Sequence, residues 1–270
     1  MEGKDLKPNR GKAPYTSHLA IASMTIILFA IEYILVYISE ALGILLALAS
    51  SLIIYTLISI INISDMLADA LENITILLIY IMLMSGLPWF YLSQSLLVPG
   101  VYTIVLALGF WKASAKNPNI TIRELLESLG IKRENLKRNL LVGVAGIPLG
   151  ATEYYILKPP PPTPNFSMGY FLQTTIYMLI FVAFGEELLF RALIQKSLQK
   201  ITGEVSSVFW SALIFAAMHT VWRSIPELLF VFAAGLILGG FYLKTGNLTG
   251  PIMIHAVNNI MLLAIMPYVA

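Results

Sequence analysis

Long apolar runs, each of roughly 17–25 residues, take up most of this chain. A run of that length crosses a hydrocarbon core of about 30 Å as a single α-helix. Hydrophobic residues make up 58% of the 270 residues and charged residues only 12%, about half the charged share of a soluble domain. These features predict an all-α, polytopic transmembrane helix bundle that lies in the lipid bilayer.

The runs predict nine membrane-spanning segments, with eight as the alternative. The third and fourth have the softest boundaries, because Gly and Pro near residues 86–100 can break or merge them. No internal repeat and no soluble second domain is evident, so residues 1–270 are expected to form a single membrane domain. The nine segments lie near residues 19–39, 43–62, 74–92, 95–112, 139–157, 168–199, 205–221, 225–243 and 249–268.

The positions of Lys and Arg predict the orientation of the chain. The N-terminal tail, residues 1–18, carries four basic residues, and the loop 112–138 carries seven. Four predicted spans separate these two segments, so both can lie in the cytoplasm, where short loops are enriched in Lys and Arg. We therefore predict an integral, multi-pass membrane protein with a cytoplasmic N-terminal tail.

Several classes of function are excluded or disfavoured by composition. A net charge of +2 gives no indication of a nucleic-acid partner. The chain has no cysteine, which excludes disulfides, thiolate metal ligands and a thiol nucleophile. The three aspartates lie in predicted polar segments, and the sequence contains neither HExxH nor GxSxG. Aspartyl, zincin-type and serine intramembrane proteases are therefore disfavoured.

Ionisable side chains inside the predicted spans are concentrated in the last third of the chain. Each costs roughly 3 kcal/mol or more at the centre of a bilayer, so each is a candidate functional residue. The first five spans contain Glu32 and Glu153. The last four contain Glu186, Glu187, Arg191, His219 and His255, with Asn259 as a polar companion.

The spacing of these residues predicts which of them face one another. Glu187 precedes Arg191 by four residues, the favourable order for an ion pair on one helix face, and Glu186 points about 100° away. Glu186 and His219 are equidistant from the Thr202–Gly203 turn, so an antiparallel helix pair would place them at the same depth. A carboxylate and an imidazole at one depth can hold and deprotonate a water molecule, which is the arrangement that general-base hydrolysis requires.

His255 and Asn259 are also four residues apart, so they share one face of the last span. Both side chains can donate hydrogen bonds, which suits them to stabilising the oxyanion of a tetrahedral intermediate.

Three short motifs in this region resemble the signature of a known family. Residues 186–191 have the form EExxxR, residues 215–219 the form FxxxH, and residues 255–259 the form HxxxN. In this order, on successive C-terminal spans, they resemble the CPBP family of CAAX proteases and bacteriocin-processing enzymes, also called the Abi family. Its members include the Rce-type, type II CAAX prenyl endopeptidases. The N-terminal 160 residues add only a compatible topology.

The resemblance implies an intramembrane glutamate endopeptidase that uses no metal and no cofactor. Its substrate would be a lipid-modified, CAAX-like protein or an amphipathic membrane peptide, cleaved near its C-terminus. The catalytic helices would be those of residues 168–268, around a water-filled cavity enclosed by the last four spans. Because Glu186 and His219 are counted from a cytoplasmic turn, the cavity is expected to open toward the cytoplasmic side.

The family also implies a role for each motif residue. Glu186 would be the general base, and His219 would help to hold the catalytic water. His255 and Asn259 would form the oxyanion site. The supporting residues would be Glu187 and Arg191, which set the geometry, and Phe215, which packs beside His219.

Other interpretations of the same residues remain open at this point. Glu186, His219 and His255 match a known catalytic zinc set, so a zinc-dependent form of the same hydrolysis is one alternative. Buried Glu, Arg and His also occur in proton-coupled transporters. A non-catalytic membrane maturation factor is the third alternative.

Overall fold

The structure, a computed structural model, describes residues 15–87, 94–115 and 119–270. Every regular element within these ranges is a helix, which confirms the predicted all-α bundle. The predicted tail of residues 1–18 lies, as far as residue 14, outside the described residues. The helices are α1 (Tyr15–Tyr37), α2 (Glu40–Ile60), α3 (Asp65–Gly86), α4 (Gln94–Ala115), α5 (Ile122–Ser128), α6 (Leu136–Leu157), α7 (residues 168–202), α8 (Glu204–Ala217), α9 (Ile225–Thr245) and α10 (Thr249–Val269).

Eight of the described helices, all except α5 and α7, are long and apolar enough to cross a membrane. The protein is therefore an integral, multi-pass membrane protein. Each of the nine predicted apolar segments overlaps a helix, although residues 88–92 of the third lie outside the described residues. The predicted segment 168–199 corresponds to α7, which contains two π-helical stretches, whereas α10 contains one.

The irregular course of α7 centres on the two predicted glutamates. A π-helical stretch, Tyr177–Ala183, precedes the α-helical turn Phe184–Glu187, and a second, Leu188–Gln195, follows it. Each π turn widens the helix locally and shifts the direction of the side chains after it, and such turns occur often at functional sites. The glutamate pair thus lies on a short α-helical turn between two distorted stretches.

The third span begins earlier than the predicted residues 74–92, because α3 includes the acidic residues that were assigned to a loop. Asp69 lies 3.6 Å from Lys112 and 3.7 Å from Lys200, and Glu72 lies 2.7 Å from Lys112. Because their charges are paired, these acidic residues can lie in the first turns of a membrane helix. They also bring the start of α3, the end of α4 and the end of α7 to the same side of the bundle.

The short helix α5 forms as its capping signals predict. The Thr121 hydroxyl accepts a hydrogen bond from the Glu124 backbone N–H, and the Thr121 N–H donates to the Glu124 carboxylate, which is a complete capping box. These hydrogen bonds from Thr121 hold the pKa of the exposed Glu124 carboxyl below its usual value. The helix contacts the bundle through Lys196, which donates to the Ser128 carbonyl at 2.7 Å.

Two close helix pairs determine where the polar residues of the bundle meet. Helices α7 and α8 run antiparallel, and the rings of Phe190 and Phe215, equidistant from the Thr202–Gly203 turn, lie 4.8 Å apart. Helices α6 and α10 approach closely at Gly146 and Gly150, where an added Cβ would meet the backbone of α10. Small residues four apart allow this kind of backbone contact in membranes.

Candidate active site

A cavity of about 220 Å³ lies inside the bundle and holds most of the predicted site residues. This volume accommodates several water molecules. Apolar side chains form much of its wall, which leaves a compact polar surface on which the ionisable groups converge. The polar lining consists of Tyr80, Tyr102, Glu153, Glu186, His219, His255 and Asn259.

Glu186 has one carboxylate oxygen engaged and the other unpartnered. Its Oε1 accepts a hydrogen bond from the Tyr102 hydroxyl, which lies 3.2 Å from the Tyr80 hydroxyl. Its Oε2 is buried, has no hydrogen-bond partner among the described residues, and lies 3.7 Å from Nε2 of His255. The carboxylate is therefore held on one side by two tyrosines and keeps one oxygen available in the cavity.

Glu187 joins Arg191 and His255 in a fully buried cluster. Its Oε2 lies 3.0 Å from Nε of Arg191, and both side chains are 0% exposed, so the ion pair predicted from their spacing forms. Its Oε1 lies 2.9 Å from Nδ1 of His255. Since a carboxylate only accepts hydrogen bonds, Nδ1 of His255 carries the proton in this contact. The His255 ring thus has a carboxylate at each nitrogen.

Arg191 is also held by helix α8. Its NH1 lies at 3.5 Å from the Ser211 hydroxyl, which itself donates to the Phe190 carbonyl at 2.9 Å. The guanidinium lies 5.1 Å from the centroid of the Phe215 ring, within the range of a cation–π interaction. These contacts fix the buried charge between two helices.

Phe215 packs against both site histidines. Its ring centroid is 4.7 Å from that of His219 and 5.8 Å from that of His255. Nδ1 of His219 lies 2.9 Å from the Phe215 carbonyl. A carbonyl accepts but cannot donate, so Nδ1 carries a proton, and in the neutral form of the His219 ring Nε2 is a hydrogen-bond acceptor.

Asn259 reaches the cavity beside His255, and its neighbour Asn258 points into the protein. The Asn258 amide donates to a carboxylate oxygen of Glu153 and, at 3.3 Å, to Oδ1 of Asn259. The Glu153 carboxyl in turn faces that of Glu227, which is 0% exposed. A second polar cluster thus adjoins the cavity.

Sequence reasoning assigned no role to several of these residues. Tyr80 and Tyr102 come from α3 and α4, far from the motifs in sequence. Glu153 was identified as intramembrane but without a partner, and Glu227 resembled an ordinary acidic residue in the first turn of a helix after the cap Ser224. Its burial against another carboxyl group is a tertiary feature that local spacing does not reveal.

One prediction about the cavity requires correction. The last four spans do not enclose it alone, because α3, α4 and α6 contribute Tyr80, Tyr102 and Glu153, whereas α9 contributes no lining residue. His219 follows the last residue of α8, at the bundle end remote from the Thr202–Gly203 turn. That the cavity opens on the side of that turn stays a prediction.

The zinc alternative requires three Glu or His side chains that point toward one common position. Within residues 15–87, 94–115 and 119–270, no three His, Asp or Glu side chains are grouped so that they could hold a metal ion. Both nitrogens of His255 face carboxylates, and Nδ1 of His219 is occupied by a carbonyl.

The fold and the site define a multi-pass membrane protein with a buried Glu/His/Asn cavity. Residues 168–261, about a third of the chain, match the family model described as "Type II CAAX prenyl endopeptidase Rce1-like". The segment that carries all three motifs is thus similar to Rce1-like type II CAAX prenyl endopeptidases, which confirms the resemblance to the CPBP family. Searches of curated proteins and of solved structures gave no match.

Proposed function

We propose that this protein is an intramembrane endopeptidase that hydrolyses a peptide bond near the C-terminus of a lipid-modified, CAAX-like protein or an amphipathic membrane peptide. The nucleophile is a water molecule activated by Glu186 and His219. The reaction needs no cofactor. The Rce1-like domain at residues 168–261 supports the class of reaction, and the geometry of the cavity supports the roles of the individual residues.

The observation that carries this proposal is the free oxygen of Glu186. A buried carboxylate oxygen without a partner loses the free energy of a hydrogen bond, and Oε2 of Glu186 is in this position at the wall of a cavity. A water molecule that donates to Oε2 relieves this cost. Since Nε2 of neutral His219 is an acceptor on the same cavity, the water can donate its second hydrogen there.

In the proposed reaction, one hydrogen of this water passes through Glu186 to the departing amine, and the other stays in the carboxylic acid product. Glu186 removes one proton while the water oxygen attacks the scissile carbonyl carbon, which forms a tetrahedral intermediate with a negatively charged oxygen. The protonated Glu186 then donates to the departing nitrogen as the C–N bond breaks. The products are a carboxylic acid and an amine, and Glu186 is an ionised carboxylate again.

His255 and Asn259 are proposed to stabilise the oxyanion. Asn259 donates through its amide nitrogen in any protonation state. His255 already donates from Nδ1 to Glu187, so it donates from Nε2 only as the charged imidazolium, and the carboxylates of Glu187 and Glu186 attract that positive charge. Arg191 keeps Glu187 in place and so fixes the orientation of the ring.

The wall of the cavity supports a membrane-associated substrate. Val221 and Trp222, which line the cavity, are also 60% and 41% exposed on the outer surface of the bundle. These two residues connect the polar site to the exposed surface of the bundle. A lipid tail could therefore remain in the bilayer while the scissile bond reaches Glu186.

The direct test is cleavage of a quenched fluorescent peptide that carries a farnesylated CAAX terminus, by the purified protein in nanodiscs. We expect cleavage of this peptide, little cleavage of the same peptide without the prenyl group, and no loss of rate after treatment with phenanthroline and EDTA. Activity that disappears with the chelators and returns with zinc would establish the zinc-dependent alternative. Cleavage of neither peptide would argue against a CAAX-like substrate.

Tyr102 is expected to be a positioning residue for Glu186. Tyr102→Phe removes the hydroxyl but keeps the ring, which packs on Gly185. Because a hydrogen bond to a charged group is worth about 1.5–3 kcal/mol, kcat should fall by about tenfold to a hundredfold with KM nearly unchanged. Tyr80→Phe is the matched control, since its hydroxyl contacts Tyr102 and not Glu186, and its loss should be smaller. Equal effects on kcat and KM in the Tyr102 variant would indicate a role in substrate binding instead.

A further inference from the structure

A chain of polar side chains runs from helix α9 to the proposed oxyanion site, outside the three motifs. It starts at Glu227, continues through Glu153 on α6 and Asn258 on α10, and ends at Asn259. The first three of these side chains are buried. Glu153 lines the main cavity. Glu153, Asn258 and Asn259 also line a second, smaller cavity of about 30 Å³ that adjoins the main one.

The packing of α6 on α10 makes this chain possible. At Gly150 an added Cβ would meet the carbonyl oxygen of Asn258 and, at 2.6 Å, Cβ of Met261. The absence of a side chain there lets the two backbones approach, so Glu153, one helical turn further on, reaches the Asn258 amide. Polar groups buried at such a depth are costly unless they are paired, and the hydrogen bonds of the Asn258 amide to Glu153 and Asn259 pair three of the four side chains.

The hydrogen bonds of Asn258 determine which end of the Asn259 amide faces the cavity. Asn258 donates to Oδ1 of Asn259 at 3.3 Å, so the carbonyl end of Asn259 is engaged within the protein. The NH₂ end is left for the cavity, and only this end can donate to an oxyanion. A rotated Asn259 amide would present an oxygen to the negative charge of the intermediate and repel it.

The two glutamates in turn determine the orientation of Asn258. A carboxylate oxygen of Glu153 accepts a hydrogen bond from the NH₂ group of Asn258, so the NH₂ end of the Asn258 amide faces Glu153. Glu227 faces the same carboxyl group, and among the described residues neither of its oxygens meets a hydrogen-bond donor. Glu227 thus borders the carboxyl group that holds Asn258 in place.

We propose that Asn258 and Glu153, supported by Glu227, are positioning residues that fix the amide of Asn259 with its NH₂ group toward the scissile carbonyl. The expected effect of these residues on the rate of peptide cleavage rests on the proposed function. The hydrogen-bonded chain itself can be tested without any catalysis.

The kinetic test is a double-mutant cycle between Asn258 and Asn259 with the prenylated peptide. Loss of an oxyanion-hole donor costs about a hundredfold to a thousandfold in kcat, so a misoriented donor in Asn258→Leu should cost about tenfold or more, with KM within about twofold. In the Asn259→Ala background the same Asn258 change should lower kcat by less than about twofold, because the group that it orients is gone. Independent, multiplicative losses would overturn the proposal.

Asn73→Ala is the matched control for loss of a buried amide. Asn73 is 2% exposed, donates to the Leu193 carbonyl at 3.3 Å, and does not line the main cavity. This variant should lower the Tm in detergent but leave kcat at the wild-type level. Asn258→Ala replaces Asn258→Leu in the cycle if the leucine variant does not fold.

The structural test uses the protein labelled with ¹⁵N-asparagine in nanodiscs, in which the Asn258 and Asn259 side-chain resonances are assigned from their alanine variants. Glu153→Leu should shift the NH₂ resonances of both residues, and Glu32→Gln, in helix α1, should shift neither. Unchanged resonances in Glu153→Leu would refute the hydrogen-bonded chain whether or not the protein cleaves peptides. Shifted resonances in a protein without peptidase activity would leave the chain intact and refute only the proposed function.

Discussion

Replacement of Glu186 by glutamine is expected to lower kcat about a thousandfold, because a positioned general base contributes about a hundredfold to ten thousandfold to proton transfer. Glutamine has the same shape and can still accept the hydrogen bond from Tyr102, so the fold and KM should change little. The measurement is the rate of cleavage of the prenylated peptide by wild type and variant at equal concentrations of folded protein. His219→Ala should cause a similarly severe loss, since it removes the second acceptor for the water.

Glu32→Gln is the matched control for this experiment. Glu32 is a buried carboxyl in a membrane helix, 5% exposed, and is not among the residues that line the cavity. Its charge acts on Tyr80, whose hydroxyl contacts Tyr102 rather than Glu186, so its neutralisation should leave kcat within about threefold of wild type. A Glu186→Gln protein that retained more than about a tenth of the wild-type rate would remove Glu186 from the role of general base.

The sequence predicts much of this site because its main constraints are local. The spacing of four residues determines the Glu187–Arg191 ion pair, and the Thr202–Gly203 turn sets the register of α7 on α8. Since helical geometry alone fixes such relations, one sequence is sufficient to find them. The placement of Glu186 and His219 on one cavity follows from the same geometry.

The remaining contacts depend on how distant helices pack, which helical spacing does not determine. One carboxylate oxygen of Glu187 pairs with Arg191, as the spacing predicts. The second oxygen contacts His255, which is 68 residues away in the sequence. Tyr102 is 84 residues from Glu186. The start of α3 was misplaced for a related reason: Asp69 and Glu72 look like loop residues until Lys112, on another helix, pairs with both.

Loss of Arg191 should be the most destabilising single change in the site. Arg191→Met leaves Glu187 fully buried with His255 as its remaining close partner, and an uncompensated buried charge costs about 3–5 kcal/mol. We expect a large fall in Tm, measured by tryptophan fluorescence in detergent, and loss of peptidase activity. Arg191→Lys should recover only part of the stability, because an ammonium group lacks the planar fork that meets both Glu187 and Ser211.

The double variant Glu187→Leu/Arg191→Met separates the structural role of the pair from its role in the site. Well-packed apolar residues in place of a buried ion pair are often neutral or stabilising, so the Tm should return most of the way to the wild-type value. The activity should not return, because His255 has lost the carboxylate that fixes its Nδ1 proton and the direction of Nε2. A stable double variant with restored turnover would mean that Glu187 and Arg191 only hold the helices together. Recovery of stability without turnover would assign them to the orientation of His255.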